Sequence, residues 1–507
     1  MAPLAPNPSK PNSGLLGTPP NPSKPNSGLP GTPLPESAPA SPEASAHPGS
    51  AGLKEDSAAG GQRSIFDLQH PPAPELIDEC VHCGFCLPAC PTYALWHEEM
   101  DSPRGRIYLM KLGLQGQATM DATYVRHFDQ CLGCMACMTA CPSGVKYDKL
   151  IEATRAQIER RYSRPVGDRW LRRLIFTLFP HPRRLRLLVP FLWAYRRLGV
   201  RRLVHALGLL KLLPESLRAM EELLPEVSLR SWSLRLPSRI APQGKARMRV
   251  ALMLGCVQRV FFDQVNAATA RVLAAEGCEV LIPRDQGCCG ALMTHAGRED
   301  QAVAAARRFI EVFEREPVDR IVINAAGCGS NLKDYPHLLR DDPAYAERAR
   351  ALAAKCKDIT EVLAELTPRA PRHPLPLRVA LQDSCHLRHA QGISAAPRQV
   401  LAAIPELALL ELPDAALCCG SAGIYNLVEP VPANELGERK ARNVLATGAD
   451  AMASGNPGCL LHIGASIQRL GQQIPLYHTV ELVDASIRGV MPQVRTTREP
   501  AKKRCAA

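Results

Sequence analysis

The sequence predicts a multidomain chain of mixed α+β/α/β class, with a helical cysteine-rich module in front and two duplicated α/β domains behind it. Three observations predict this. One cysteine spacing occurs twice in close succession, at Cys80–Cys90 and Cys131–Cys141. A basic, proline-interrupted stretch follows. Three cysteine landmarks then recur at nearly constant offset: Cys256 to Cys385 is 129 residues, Cys288 to Cys418 is 130, and Cys328 to Cys459 is 131. On this basis residues 1–72 are a disordered tail and 73–152 a small helical cysteine module. Residues 153–248 are a helical linker, 249–376 and 377–490 two copies of one α/β domain, and 491–507 a flexible tail.

The first 72 residues are rich in Pro, Ser, Gly and Ala. Asn7–Leu15 recurs at Asn21–Leu29, a period of 14 residues. Too few large apolar side chains are present to bury a core, so disorder is expected. A short repeat of this composition reads as a tolerated expansion and not as a solenoid.

The module at 73–152 carries Cys80-Val-His-Cys83-Gly-Phe-Cys86-Leu-Pro-Ala-Cys90-Pro91 and Cys131-Leu-Gly-Cys134-Met-Ala-Cys137-Met-Thr-Ala-Cys141-Pro142. Both read C-x2-C-x2-C-x3-C-P, the bacterial ferredoxin run. Four thiolates hold one [4Fe–4S] cluster, three from a tight loop and the fourth from the other motif, where it opens a helix. The expected sets are Cys80, Cys83, Cys86 and Cys141 for cluster 1, and Cys131, Cys134, Cys137 and Cys90 for cluster 2. Zinc fits less well, because a zinc ribbon needs two C-x2-C knuckles and not three evenly spaced cysteines plus a fourth. A helix is expected from near Pro74 into Cys80. Asp101-Ser102-Pro103 reads as a turn entering another helix. Arg104 and Arg106 either lie near cluster sulfurs and raise their potential or sit solvated at that helix start.

Between Arg155 and Arg249 stand 22 Lys/Arg and 6 Asp/Glu, a local balance of +16 in a chain whose net charge is +12. The rest therefore sums to −4, and the basic character bears on a partner of this segment alone. Pro165, Pro180, Pro182, Pro190, Pro214 and Pro225 are expected to chop it into short helices. Arg183–Leu188 and Arg196–Val204 mix arginines with aliphatics, and Phe176, Phe179, Phe191, Trp193 and Tyr195 accompany them. A basic amphipathic helix can lie on an anionic membrane, pack on an acidic subunit face, or present an ordinary solvated side. The aromatics favour docking, with Arg196, Arg197, Arg201 and Arg202 as its charges. Nucleic acid is a poor partner, because no recognised binding motif accompanies the charge.

Each α/β half opens with a strand-like run, Arg249–Leu254 or Leu377–Leu381, and alternates β-branched runs such as Ile321–Ile323 with helical ones such as Gln301–Glu314. That alternation predicts parallel strands. The cysteines fall after strands and before helices, where ligand loops of open α/β sheets sit. The second half gathers Cys385, Cys418, Cys419 and Cys459, with His462 three residues on as a further candidate metal ligand. The first gathers Cys256, Cys288, Cys289 and Cys328, with Asn331 where His462 stands, so metal is expected in the second half before the first. Adjacent cysteines bridge several irons more easily than they share one small ion, although zinc and a vestigial, metal-free site remain open. Cys278, Cys356 and Cys505 have no counterpart in the pattern and read as incidental.

Nineteen cysteines in 507 residues, held in ligand spacings, indicate metal in a reducing compartment and not a disulfide scaffold. No secretory signal is visible, and no uncharged apolar run approaches the roughly 18 residues of a membrane span. A cytoplasmic protein is expected, peripheral on the inner face of the cell membrane.

Two ferredoxin motifs, a basic linker and two Cys-Cys-Gly domains resemble the iron–sulfur subunit of bacterial glycolate oxidase (glycolate dehydrogenase). The resemblance runs from about residue 75 to 490. It is sharpest at Glu79–Cys86, Pro103–Leu109, Ala326–Gly329 and Cys418–Gly423. It implies an electron-transfer subunit with two [4Fe–4S] clusters. Separate flavin-binding subunits would oxidise glycolate to glyoxylate, with an acceptor such as a quinone. No G-x-G-x-x-G stands in a βαβ unit, so no flavin or nicotinamide site and no catalytic residue is expected on this chain. Iron–sulfur subunits of anaerobic glycerol-3-phosphate or lactate dehydrogenases share the plan. The Cys-Cys-Gly domains also resemble those of heterodisulfide reductases, whose pattern ends in C-x-x-C, and a catalytic subunit of that kind is the alternative that this second resemblance implies. Here Asn331 and His462 take the place of that last cysteine.

Overall fold

The computed structural model describes residues 63–493, except 226, 228, 230, 231, 233 and 234. The N-terminal repeat, Cys505 and most of the two tails lie outside the described residues. Six helices build the front module: α1 (Pro74–Asp78), α2 (Pro91–Trp96), α3 (Pro103–Leu114), α4 (Ala122–Asp129), α5 (Ala136–Ala140) and α6 (Tyr147–Arg161). Pro74, Pro91 and Pro103 each occupy a first helical position, where the missing N–H removes no helical bond. The Ser102 hydroxyl caps α3 by accepting from Gly105 N at 3.0 Å. Ile107, Met110, Phe128, Leu150 and Ile151 form the core.

Among the described residues no strand precedes Arg239, so the front module is helical as expected, built of cysteine loops and proline-started helices. One expectation changes here. Residues 63–72, assigned to the tail on composition, are packed. Phe66 is buried, Ile65 N donates to Gly113 O at 3.0 Å, and Asp67 pairs with Arg160 at 2.9 Å. Two apolar side chains anchor a segment whose prolines and polar residues resemble a linker.

The linker is α7 (Val166–Leu178), α8 (Pro182–Arg197), α9 (Val200–Ala206), a 3-10 turn at Leu209–Leu212 and α10 (Glu215–Glu222). Pro165 and Pro214 precede helices and Pro182 starts one. Pro190 does not break the chain but lies inside α8. An internal proline costs about 3 kcal/mol. Burial of Leu185 and Val189 against Val260 holds the helix through it.

Behind the linker stand two sheets. β1 (Arg239–Ile240), β2 (Met248–Leu252), β3 (Cys278–Leu281), β4 (Arg320–Ile323) and β5 (Cys356–Asp358) form the first, in the order β1-β3-β2-β4-β5. β6 (Arg378–Gln382), β7 (Ala408–Glu411), β8 (Ala451–Ser454) and β9 (Leu476–His478) form the second, in the order β7-β6-β8-β9. All pairings are parallel except that of the edge strand β1. Removing β1 leaves the same strand order in both halves, so duplication extends from the cysteines to the topology. The halves share a core in which Val250 and Leu252 join Val379 and Leu381, and Arg271 reaches across to Asp484 at 2.7 Å. Cys278 and Cys356 are buried in β3 and β5, where a thiol serves as a small apolar residue. No helix among the described residues is long and apolar enough to cross a membrane.

Candidate metal centres

The two ferredoxin loops have the same backbone shape. The residues on either side of the second cysteine are left-handed in both, His82 and Gly84 around Cys83, Gly133 and Met135 around Cys134. Glycine takes such a conformation freely, while His82 and Met135 do so at a steric cost. Repetition of that cost in both loops marks a shape required by a ligand. Cys90 precedes α2 as expected, and Pro91 starts that helix. Cys141 differs: it ends α5, and the chain turns through Gly144 before α6 begins at Tyr147.

The surroundings of the sulfurs interleave the two motifs. The Cys80 thiol is raised by burial and then by the charges of Cys141 and Cys83. Burial raises Cys137 well above its ordinary value, and Cys134, Cys131 and Cys90 add to it. A cavity lined by Cys90, Cys131, Cys134 and Cys137, with Arg106 and Tyr147, lies between the members of the second set. Among the described residues no three such side chains close around a single ion. Four thiols facing a cavity suit a group as wide as an iron–sulfur cluster. Both sets therefore fit the group that their spacing implies. The two sites differ in exposure: Cys131, Cys134 and Cys137 are buried, whereas Cys83 is the one exposed cysteine among the described residues.

Arg106 and Arg104 both lie near sulfurs. Arg106 is fully buried, with Nε donating to His127 O at 2.6 Å and Nη2 standing 3.4 Å from Asp101 Oδ1. Burial opposes its charge, but Cys131, Tyr147, Cys90 and Asp101 together raise its pKa. Burial likewise opposes ionisation of Cys131, yet Arg106, Arg155, Gly133 N–H and the Tyr147 hydroxyl outweigh it and lower that thiol. Arg104 donates to His82 O at 2.9 Å and to Glu99 at 2.6 Å, tying the first loop to the start of α3.

In each α/β half four thiols line up by contact. Cys256 meets Cys288, which meets Cys289, which meets Cys328. Cys385 and Cys418 stand 4.0 Å apart, and Cys418, Cys419 and Cys459 continue the row. The glycine after each pair is left-handed. A Cβ on Gly420 would stand 2.5 Å from Ala433 O, and one on Gly290 3.3 Å from Ala302 O. His462 lies beside Gly420, the residue after the pair, and its Nε2 donates to Ala433 O at 2.8 Å. Asn331 donates to Cys289 O at 2.8 Å.

The halves face different neighbours. Cys418 packs with Leu132, Cys134 and Ala136 of the second ferredoxin loop, and Cys385 borders that contact. Cys256 and Cys288 pack instead with Leu171, Ile175 and Phe176 of α7. Two cations, one buried and one half-buried, escaped the sequence reading. Lys440 lies beside Cys419, Cys418 and Cys459; burial lowers its pKa against their pull, and Nζ donates to Asp414 O at 2.5 Å. Arg259 lies beside Cys256 and Cys288, lowered by burial to about 10. Nothing in their spacing signals these roles, because helix packing brings them to the thiols. In the linker, two of the expected docking arginines act internally. Arg196 donates to Leu224 O and Pro225 O, and Arg201 pairs with Glu221 at 2.7 Å.

Family models match along the chain: a 4Fe-4S dicluster domain at residues 76–145, the linker region of the glycolate oxidase iron-sulfur subunit at 167–224, and a cysteine-rich domain at 250–333 and 379–464. The front module is thus a dicluster domain that carries iron–sulfur clusters. The chain is 42% identical over 397 residues to a probable glycolate oxidase iron-sulfur subunit of Bacillus subtilis, covering 77% of this chain and 89% of that protein. It is 34% identical over 423 residues to the glycolate oxidase iron-sulfur subunit of Escherichia coli, covering 82% and 95%. It is 32% identical over 239 residues to lactate utilization protein A 2 of Bacillus mycoides, covering 47% and 99%. The matches to full-length relatives, together with the order of dicluster, linker and duplicated cysteine-rich domains, identify the chain as a member of the glycolate oxidase iron–sulfur subunit family.

Proposed function

We propose that this chain is the electron-transfer subunit of a complex in which a partner flavoprotein oxidises glycolate to glyoxylate. The observation that carries the reading is the interleaving of the two cysteine motifs around buried space. Cys80, Cys83, Cys86 and Cys141 hold cluster 1, and Cys131, Cys134, Cys137 and Cys90 hold cluster 2. When bound, these [4Fe–4S] clusters supply one-electron carriers between the partner flavin and an acceptor such as a quinone. The chain's own residues fix the loops, exclude water from the second set and place Arg106 beside it. Contact between Cys418 and Cys134 favours Cys385, Cys418, Cys419 and Cys459 as a third metal centre, ahead of the row at Cys256, Cys288, Cys289 and Cys328.

The linker is proposed to rest on an anionic membrane surface at the inner face of the cell membrane. Leu187 and Phe191 lie one helical turn apart on α8 and are exposed. Val200 and Leu203 on α9 and Leu207 at its C-terminal cap repeat that spacing, and Leu212 is 81% exposed. An apolar face flanked by arginine suits a headgroup boundary. Leu203→Glu with Leu212→Glu should lower binding to vesicles containing anionic lipid, and unchanged binding would discard this part.

Recovery of the anaerobic complex with metal analysis tests the whole. Eight irons per chain, a bound flavoprotein and glycolate-dependent bleaching of the clusters are expected. A bound flavoprotein that oxidises glycerol 3-phosphate or lactate but not glycolate would overturn the substrate.

A further inference from the structure

The loop from Cys80 to Cys86 meets solvent in a way that no other cysteine loop does. Cys83 is exposed at its tip. On either side Val81 is 69% and Phe85 68% exposed. The ring of Tyr108, also exposed, lies 6.3 Å from that of His82, which extends the apolar surface from the loop onto α3. Exposed large apolar groups grouped around a ligand cysteine mark an interaction site.

Charge says what kind. From Ser64 to Ser102 the sequence holds Asp67, Glu75, Asp78, Glu79, Glu98, Glu99 and Asp101 and no Lys or Arg. Glu75, Asp78, Glu79 and Glu98 are exposed. Asp78 and Glu79 lead directly into Cys80; Lys111 of α3 pairs with Asp78 at 3.3 Å and leaves Glu75, Glu79 and Glu98 to keep the rim acidic, and Arg104 ties Glu99 to the loop through His82 O. The linker has the opposite character, with no Asp or Glu between Arg169 and Pro214. An anionic membrane would be repelled at the acidic rim, and a second copy of this chain meeting it face to face in a two-fold dimer would bring like charge against like. A protein with a basic rim around an apolar centre fits.

We propose that Val81, Phe85 and Tyr108, with the acidic rim of Asp78 and Glu79, are the docking face for the electron-donating flavoprotein subunit, which seats against Cys83. The proposal rests on the function proposed above and adds where the partner binds. Electron transfer weakens steeply with separation, so a donor outside the chain must approach the ligand sulfur that reaches the surface. The remaining ligands of both clusters are buried or partly buried. Apolar centre and charged rim then divide the work of affinity and orientation.

The test uses the full-length, cluster-loaded chain and the flavin-binding subunits that co-purify with it. Three variants are compared with wild type: Val81→Glu with Phe85→Glu, Tyr108→Glu, and Asp78→Lys with Glu79→Lys. Each should weaken the dissociation constant for the flavoprotein at least tenfold. Iron content and the dithionite-reduced spectrum should stay unchanged, and wild-type affinity should fall with salt. Tyr108 lies outside the ligand loop, so its variant decides the matter if the double loop variant loses iron. Wild-type affinity in the Tyr108 and lysine variants would overturn the docking face. If the bound flavoprotein oxidises a different substrate but the variants still release it, the substrate assignment falls and the face stands. Failure of any flavoprotein to bind the loaded wild-type chain overturns both.

Discussion

Replacing Arg106 by Met should loosen the second cluster site more than any other single change outside its ligands. Arg106 and Asp101 are both essentially buried, with Nη2 and Oδ1 3.4 Å apart. At an effective dielectric constant near 20 the gross attraction at that distance is about 5 kcal/mol. Removing one partner leaves the other charge buried, which costs about 3–5 kcal/mol. His127 Nδ1 stays 2.9 Å from Asp101 and should hold the loss near the lower end. Adding Asp101→Asn removes the orphaned charge and should restore about 2 kcal/mol. The assay is the urea midpoint for loss of cluster absorbance under anaerobic conditions. The reduction potential of the same cluster should fall in the Met variant, because a positive charge beside Cys131 and Cys90 is gone. A loss below about 1 kcal/mol, or a double variant as unstable as the single one, would refute the reasoning.

Burial, partly opposed by Lys149, raises Glu152 from 4.5 to about 7. Its contribution is complete below pH 4.5 and is lost as pH rises through 7. The stability of Glu152→Gln relative to wild type should therefore grow by about 3 kcal/mol across that window and then level off, as read from urea midpoints against pH. Gly290→Ala and Gly420→Ala should each cost about 1–2 kcal/mol for the left-handed backbone. Gly420→Ala should cost clearly more than its counterpart, because its Cβ meets Ala433 O at 2.5 Å against 3.3 Å at Ala302 O; thermal melts of the pair decide it. Any iron beyond eight per chain should vanish in Cys418→Ser with Cys419→Ser and persist in Cys288→Ser with Cys289→Ser, by metal analysis.

Much of this was legible because thiol ligands need fixed spacings. The eight ferredoxin cysteines and the two Cys-Cys-Gly rows show in the chain as regular intervals, and the constant offset revealed the duplication down to strand order. The helices at Pro74, Pro91 and Pro103 were equally open, since proline at a first helical position is a local signal. What stayed hidden depends on tertiary contact. Pro190 reads as a breaker until Leu185 and Val189 are seen buried against Val260. Residues 63–72 read as tail because Phe66 finds its pocket beside Gly113, far along the chain. Arg196 and Arg201 read as surface charge until their partners on and after α10 are in view. Lys440 and Arg259 carry no motif at all.

The two thiol rows look equivalent in sequence, yet their neighbours divide them. The row ending in Cys459 touches the second ferredoxin loop through Cys418 and Cys134. The row beginning at Cys256 lies under α7, on the basic and apolar side of the linker. Each has one cation beside it, buried Lys440 in one case and half-buried Arg259 in the other. Duplication thus supplied two similar thiol rows, and packing gave one to the dicluster module and the other to the linker. An acidic, apolar face at Cys83 and a basic, apolar face on α8 and α9 suit different partners. On the function proposed above, charge sign, more than shape, would keep a flavoprotein and a membrane from competing for one surface.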